Sequence, residues 1–230
     1  VYPGCWDEDR VMGVIPQGLT RPFVSVVTAD PSPSKYWSVM HWLYHVPTEQ
    51  RFLIDHYRGK MGANDFLDWY TTSGTFGGLL EDWWQRSVKQ KVPITHVVVE
   101  QNAAQRFLMQ YEHVRNWQRL RGVKLVGHNT TSNKTDAQYG VQALLPQAYR
   151  FGRVRLPSGD QLSRGRSMAL VNEVTKWPET STEDCVMAHW FFEFNLRGLV
   201  SAATRPAQPP RFVHRHMTAA DLARAAPARL

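Results

Sequence analysis

Three acidic residues, Asp30, Glu100 and Asp184, carry the chemistry for which this chain can be read. They are far apart in sequence, yet each stands where a strand ends or a helix begins, so that a common point is within reach of all three. Carboxylate oxygens suit hard cations such as Mg2+ and Mn2+. Three of them can hold two such ions about 3.5–4 Å apart, which activates a water on one side of a phosphodiester and stabilises the departing 3′-oxygen on the other. In that arrangement Asp30, Glu100 and Asp184 would hold the ions between them. Plainer readings exist for every one of them. Asp30 precedes Pro31 and can open a turn, Glu100 can solvate a strand end, and both Ser181-x-x-Asp184 and Thr180-x-x-Glu183 fit a helix capping box. Their joint placement favours chemistry.

The elements that must position these acids are legible in the pattern. Residues 23–30 are β-branched and apolar up to Asp30, and the Pro and Ser residues that follow end the run, so a strand with Asp30 at its exit is expected. Residues 36–46 and 51–57, separated by Pro47-Thr48-Glu49-Gln50, continue it as an antiparallel meander. Residues 94–100 are the most strand-like in the chain. Their unbroken valines point to a central strand buried on both faces, with Glu100 at its carboxyl end, where open α/β sheets build their sites. Asn102 is the expected N-cap of a helix over 103–121. In the helix that Asp184 opens, Met187, Ala188 and Phe191 fall at i+3, i+4 and i+7. This spacing puts Asp184 on the sheet-facing side and Glu183 about 100° around from it. Further helices are expected over 79–90 and 137–149, with a short strand over 123–126. The adjacent Trp83 and Trp84 read as core and packing edge. His41 and His45 share one face of a strand, a spacing that means packing more often than ligation.

Composition bounds the function. A hydrophobic content of 43% with nine Trp supports a folded domain, and the net charge of +7 suits a polyanionic partner, because neutralising phosphates releases counterions. One basic group, Arg115, Arg119, Arg121 and Lys124, reads equally as a solvated helix face or a DNA contact. A second group, Arg150, Arg153, Arg155, Arg164 and Arg166, brackets an expected strand and loop at 156–160 and is the better candidate for guiding a nucleic acid. Cys5 and Cys185 lack metal-ligand spacing and suit a reducing compartment as small buried hydrophobes. No run is apolar enough to span a bilayer, no signal peptide opens the chain and no P-loop motif is present, so a soluble intracellular chain without its own ATPase and without a membrane partner is expected. Residues 1–20 read as an extended lead-in, 21–200 as the domain and 201–230 as a flexible basic tail.

The order of several short stretches resembles the nuclease domain of the large terminase subunit of tailed bacteriophages, most of all the version found in phages of mycobacteria. The stretches are Asp7-Glu8-Asp9-Arg10, Thr28-Ala29-Asp30-Pro31-Ser32-Pro33, Val97-Val98-Val99-Glu100-Gln101-Asn102, Ser132-Asn133-Lys134, Gly152-Arg153-Val154-Arg155-Leu156-Pro157, and Trp177-Pro178 leading into Glu183-Asp184-Cys185. The resemblance implies a ribonuclease-H-like α/β fold, a mixed central sheet of antiparallel meander plus parallel strands flanked by helices. It also implies two-metal-ion cleavage of concatemeric double-stranded viral DNA during genome packaging, with Mg2+ or Mn2+ held by Asp30, Glu100 and Asp184. The family often carries two adjacent acids at the last position, here Glu183 and Asp184, and either can be the ligand. Lys134 is a candidate for neutralising the scissile phosphate, beside its plainer reading as a surface lysine. The implied partners are DNA, a portal protein, a small terminase subunit and an ATPase motor domain from which this chain would be an excised fragment, all in the host cytoplasm. A Holliday-junction resolvase, an integrase-like enzyme and a non-catalytic DNA- or portal-binding module are the competing readings.

Overall fold

A seven-stranded mixed sheet organises the computed structural model, which describes residues 3–32, 36–101 and 111–204. The strands β2 (Phe23–Asp30), β3 (Trp37–His45) and β4 (Gln50–Gly59) form the antiparallel meander. The valine-rich β7 (His96–Glu100) pairs parallel to β2, and β8 (Lys124–His128) pairs parallel to β7. On the far side, β9 (Val154–Pro157) runs parallel to β4, and the two-residue β1 (Trp6–Asp7) runs parallel to β9. The resulting order is β1-β9-β4-β3-β2-β7-β8, with the meander in the middle, which is the ribonuclease-H-like arrangement. The short β5 (Asp68–Tyr70) and β6 (Thr75–Gly77) make a separate hairpin.

Period-two alternation sorts the core into two layers. Val24, Val26, Met40, Trp42 and Val98 point to one face, where α4 (Val141–Arg150), α5 (Gln161–Lys176) and α6 (Asp184–Thr204) cover them. Val27, Ala29, Val39, Val97 and Val99 point to the other, beneath α1 (Ala63–Phe66), α2 (Leu79–Lys89) and α3 (Glu112–Arg121). Trp83 is buried there, and Trp84 lies at the edge under the Arg121 guanidinium. Cys5 and Cys185 are buried and outside any disulfide, and His41 bonds Ser25 within the sheet, so these side chains serve packing.

The structure corrects four expectations. The lead-in is built into the fold from Pro3 onward: β1 extends the sheet, Cys5 and Ile15 are buried, and the buried Arg10 donates to the Leu53 carbonyl (2.6 Å) and the Arg155 carbonyl (3.2 Å). Arg10 thereby satisfies backbone groups where β4 and β9 diverge, a sheet edge that would otherwise stand open. Gly159 is needed for this docking, since a Cβ there would lie 2.8 Å from the Glu8 carbonyl oxygen. The second correction is α5, a sixteen-residue helix that periodicity did not announce because its apolar stripe is broken by Ser163, Gly165 and Ser167. Thirdly, α4 starts at Val141 rather than near 137, because Asp136 accepts from the Gln138 and Tyr139 amides in a turn first. Finally, α6 continues through Ser201 to Thr204, past the expected start of the tail. Asn102 and the first part of the helix expected over 103–121 lie outside the described residues, as do residues 205–230. Among the described residues no helix is long and apolar enough to cross a membrane.

Candidate active site

Asp30 closes β2 and Glu100 closes β7. In the parallel register Ala29 lies opposite Val99, so the two acids follow side by side at one end of the sheet. Asp30 has the parity of Val26 and Glu100 that of Val98, so both carboxylates leave the sheet on the face that α6 covers. Asp184 is the first residue of α6. The three acids therefore meet because two strand ends share a register and a face, and because a helix begins over that face.

Their meeting is registered electrostatically. Asp30 is held well above the ordinary carboxylate range, first by burial, then by the charge of Glu100 and a hydrogen bond with it, then by the charges of Asp184 and Glu173. A fourth carboxylate, Glu173 on α5, thus belongs to the cluster, although nothing in the local sequence marks it. Glu173 is buried and caps α6 from outside. Its Oε2 accepts from the Cys185 amide at 2.7 Å and the Val186 amide at 3.1 Å, and its Oε1 accepts from the Thr182 hydroxyl at 2.7 Å. The donors at this helix start are therefore served by a side chain from another helix.

Among the described residues two cations reach the acids. Arg58, near the end of β4, lies 3.4 Å from Asp184 Oδ2 and 3.6 Å from Glu173 Oε1. Lys134, in a 3₁₀ turn over Ser132–Thr135, lies 3.2 Å from Glu183 Oε2 and faces the Trp177 ring. The adjacent acids are thus separated in environment. Asp184 is 14% exposed and faces the cluster, whereas Glu183 is 44% exposed and turns to Lys134.

The second arginine group does not form one track. Arg153 meets Glu49 in the β3–β4 turn, and its carbonyl accepts from the Arg51 amide, so it sits at the amino end of β4. Arg58, at the other end of that strand, is seven residues on, or roughly 23 Å at the usual strand rise. Arg150, closing α4, is on the Arg153 side. Arg155 donates to the Gly4 carbonyl at 2.6 Å and Arg164 lies over the Trp6 ring, so both flank β1. Of the five, Arg166 is the one that lines the groove beside Arg58, and it reaches Asp55 at 3.3 Å. The chain reverses direction between α4 and β9, which places Arg150 and Arg153 away from the acids despite their nearness in sequence to 156–160.

A Cys–His pair also lies close by, with Cys185 Sγ 3.6 Å from His56 Nε2. Burial pushes the thiol up, and burial takes the imidazole down to about 4, so both are neutral and the pair packs rather than attacks. Burial holds His41 at about 3 and His128 at about 4 as well. An imidazole whose folded pKa is depressed stabilises the fold above the ordinary value of 6.5, and that contribution is lost as pH falls toward the folded value. By pH 4 each ring costs about 2–3 kcal/mol, so the three together take away a large part of the roughly 5–15 kcal/mol of an ordinary domain. Cooperative unfolding between about pH 6 and pH 4 is expected in circular-dichroism melts; a melting temperature that stays level across that window would show that these rings are not buried neutral.

Among the described residues no three acidic, histidine or cysteine side chains stand in position to hold a metal ion. Asp30 bonds Glu100 instead, and Asp184 turns to Arg58. The donor set still fits a divalent cation: it is all carboxylate, it concentrates negative charge, and its members repel one another without a counter-ion.

No family model matches the chain, and no curated protein matches it in sequence. Among solved structures it is similar to the large terminase from a thermophilic bacteriophage, at 13% identity and a TM-score of 0.48, over 85% of this chain and 44% of that one. It is also similar to the P22 large terminase nuclease domain, at 9% identity and a TM-score of 0.45, over 86% and 95% of the two chains. The fowlpox virus Holliday junction resolvase matches at 12% identity and a TM-score of 0.34, over 78% and 99%. The chain spans less than half the length of the thermophilic phage's terminase.

Proposed function

We propose that this chain is a two-metal-ion endodeoxyribonuclease that cuts concatemeric double-stranded viral DNA with little sequence preference during genome packaging. The observation that carries the reading is the convergence of Asp30, Glu100, Asp184 and Glu173 at the carboxyl end of the central parallel strands, with Asp30 raised first by burial and then by the other three. Asp30, Glu100 and Asp184 would hold the cations, which when bound supply an activated water and a counter-charge for the leaving oxygen. The protein's own part is placement. The paired strands β2 and β7 hold Asp30 and Glu100 at one level, and Glu173 fixes the start of α6 so that Asp184 faces them. Lys134 holds Glu183 aside and offers a positive charge at the rim. The net charge of +7 draws a polyanion without reading its sequence. In the intact assembly the reading implies a portal protein, a small terminase subunit and an ATPase motor as partners in the host cytoplasm.

Supercoiled plasmid and linear duplex should both be cut in Mn2+ or Mg2+ and left intact in excess chelator. Cleavage that persists in chelator would remove the carboxylate chemistry from the account.

A further inference from the structure

A groove of about 1130 Å³ runs beside the acids, between the end of β4 and the first half of α5, and Tyr36, Tyr57, Arg58, Leu162 and Arg166 are among its walls. Arg58 belongs to the groove and to the acidic cluster at once. Its Nη2 lies 3.4 Å from Asp184 and 3.6 Å from Glu173, while its guanidinium lies over the Tyr36 ring, 5.4 Å from the centroid. Both ion-pair distances exceed the roughly 2.7–2.9 Å of a tight charge-assisted contact. Elsewhere in the same strand, Arg51 grips Glu193 with two bonds of 2.8 and 3.1 Å. Arg51 is a strut; Arg58 is a loosely held counter-charge.

Arg58 and a divalent cation compete for the same electrostatic role. With no cation bound, Arg58 offsets part of the charge on Asp184 and Glu173; once a doubly positive ion sits among those carboxylates, Arg58 is repelled and its nearest open space is the groove. That space is chemically suited to a phosphodiester. It offers the guanidinium of Arg58, that of Arg166, which is shared with Asp55 at 3.3 Å, and the half-exposed aromatic ring of Tyr36 for a sugar or base. The acid in its lining, Asp160, is already engaged with the Ser163 amide at 2.6 Å.

We propose that this groove takes the backbone of the DNA strand flanking the scissile bond, and that Arg58 has two positions: on Asp184 and Glu173 in the absence of a divalent cation, and on a DNA phosphate in its presence. The inference rests on the metal-dependent nuclease reading. It makes cation and DNA binding mutually reinforcing, because each favours the same position of Arg58.

The test titrates the full chain with Mn2+ by calorimetry, and separately measures its affinity for a fluorescent phosphorothioate duplex by anisotropy with and without Mn2+. Arg58→Gln should bind Mn2+ more tightly than wild type, since the competing charge is gone. Its Mn2+-dependent gain in DNA affinity should be about tenfold smaller, the loss of one hydrogen-bonded phosphate contact. An unchanged Mn2+ affinity, or a gain equal to that of wild type, overturns the proposal. Should Arg58→Gln not fold, Arg58→Lys replaces it: the charge is kept but the planar fork is lost, so Mn2+ affinity should stay near wild type while the DNA gain falls. Lysine with the full wild-type gain overturns it equally. A wild-type chain that shows the coupling but never cleaves would instead defeat the nuclease reading and leave the two positions of Arg58 standing.

Discussion

Asp30→Asn is expected to abolish metal-dependent cleavage and at the same time to raise the melting temperature. Asp30 is buried against Glu100, with Asp184 and Glu173 also repelling it, and its proton is held well above the ordinary carboxylate range. A group raised in the folded state stabilises the fold in acid, and that contribution is lost as pH rises through the folded value, so at neutral pH the ionised form is a cost. Asparagine removes the charge at nearly constant shape. Relief of that burden should raise the melting temperature by roughly a few degrees in a domain of this size. Cleavage should fall by at least about 10²–10³-fold, the range for removing one preorganised electrostatic group. Asp184→Asn should be similarly inactive. Glu183→Gln should keep measurable activity, because Glu183 faces Lys134 rather than the cluster. Calorimetry and plasmid nicking on the same preparations decide the matter. An Asp30→Asn protein that melts lower than wild type, or a Glu183→Gln protein that is dead beside an active Asp184→Asn, would show that the site is assembled differently.

The parts of this fold that were legible in sequence are those where a local pattern and a tertiary role coincide. The run from Phe23 to Asp30 is apolar because β2 is central, and its acid is terminal because Pro31 stops the strand. The valines before Glu100 are unbroken because β7 is covered on both faces. Asp184 and Glu183 differ in environment as a rotation of about 100° per residue requires, although residues 185–192 are buried on every side and mark no single stripe. What could not be read is what depends on contacts between distant segments. Glu173 looks like one more polar residue of a helix with a weak stripe, and its role emerges only when α5 is laid across the start of α6. Arg58 ends an ordinary strand, and Arg10 sits in what looks like a lead-in until β4 and β9 are seen to part around it. Arginines clustered in sequence around 150–166 were dispersed by one reversal of the chain.

Glu173 is where the largest loss of stability is expected. Its carboxylate accepts from two backbone amides and a hydroxyl in a buried setting, and it places a negative charge at the amino end of a helix. Glu173→Ala leaves the Cys185 and Val186 amides without that acceptor. Each unsatisfied buried donor costs about 1–3 kcal/mol. The relief of repulsion at Asp30 offsets this only slightly, because Glu173 ranks last among the causes of the Asp30 shift. A net loss of about 2–5 kcal/mol lowers the melting temperature by roughly 4–20 °C. Glu173→Gln keeps an amide oxygen in the same place and should lose less than half as much. Hydrogen exchange gives the local readout: the Cys185 and Val186 amides should exchange markedly faster in the alanine variant than in wild type, with the glutamine variant between them. Because α6 carries Asp184, cleavage should decline in the same order as amide protection. If the alanine variant melts within a degree or two of wild type with both amides still protected, the start of α6 is held by something other than Glu173, and the placement of Asp184 must be explained from the helix's own turn.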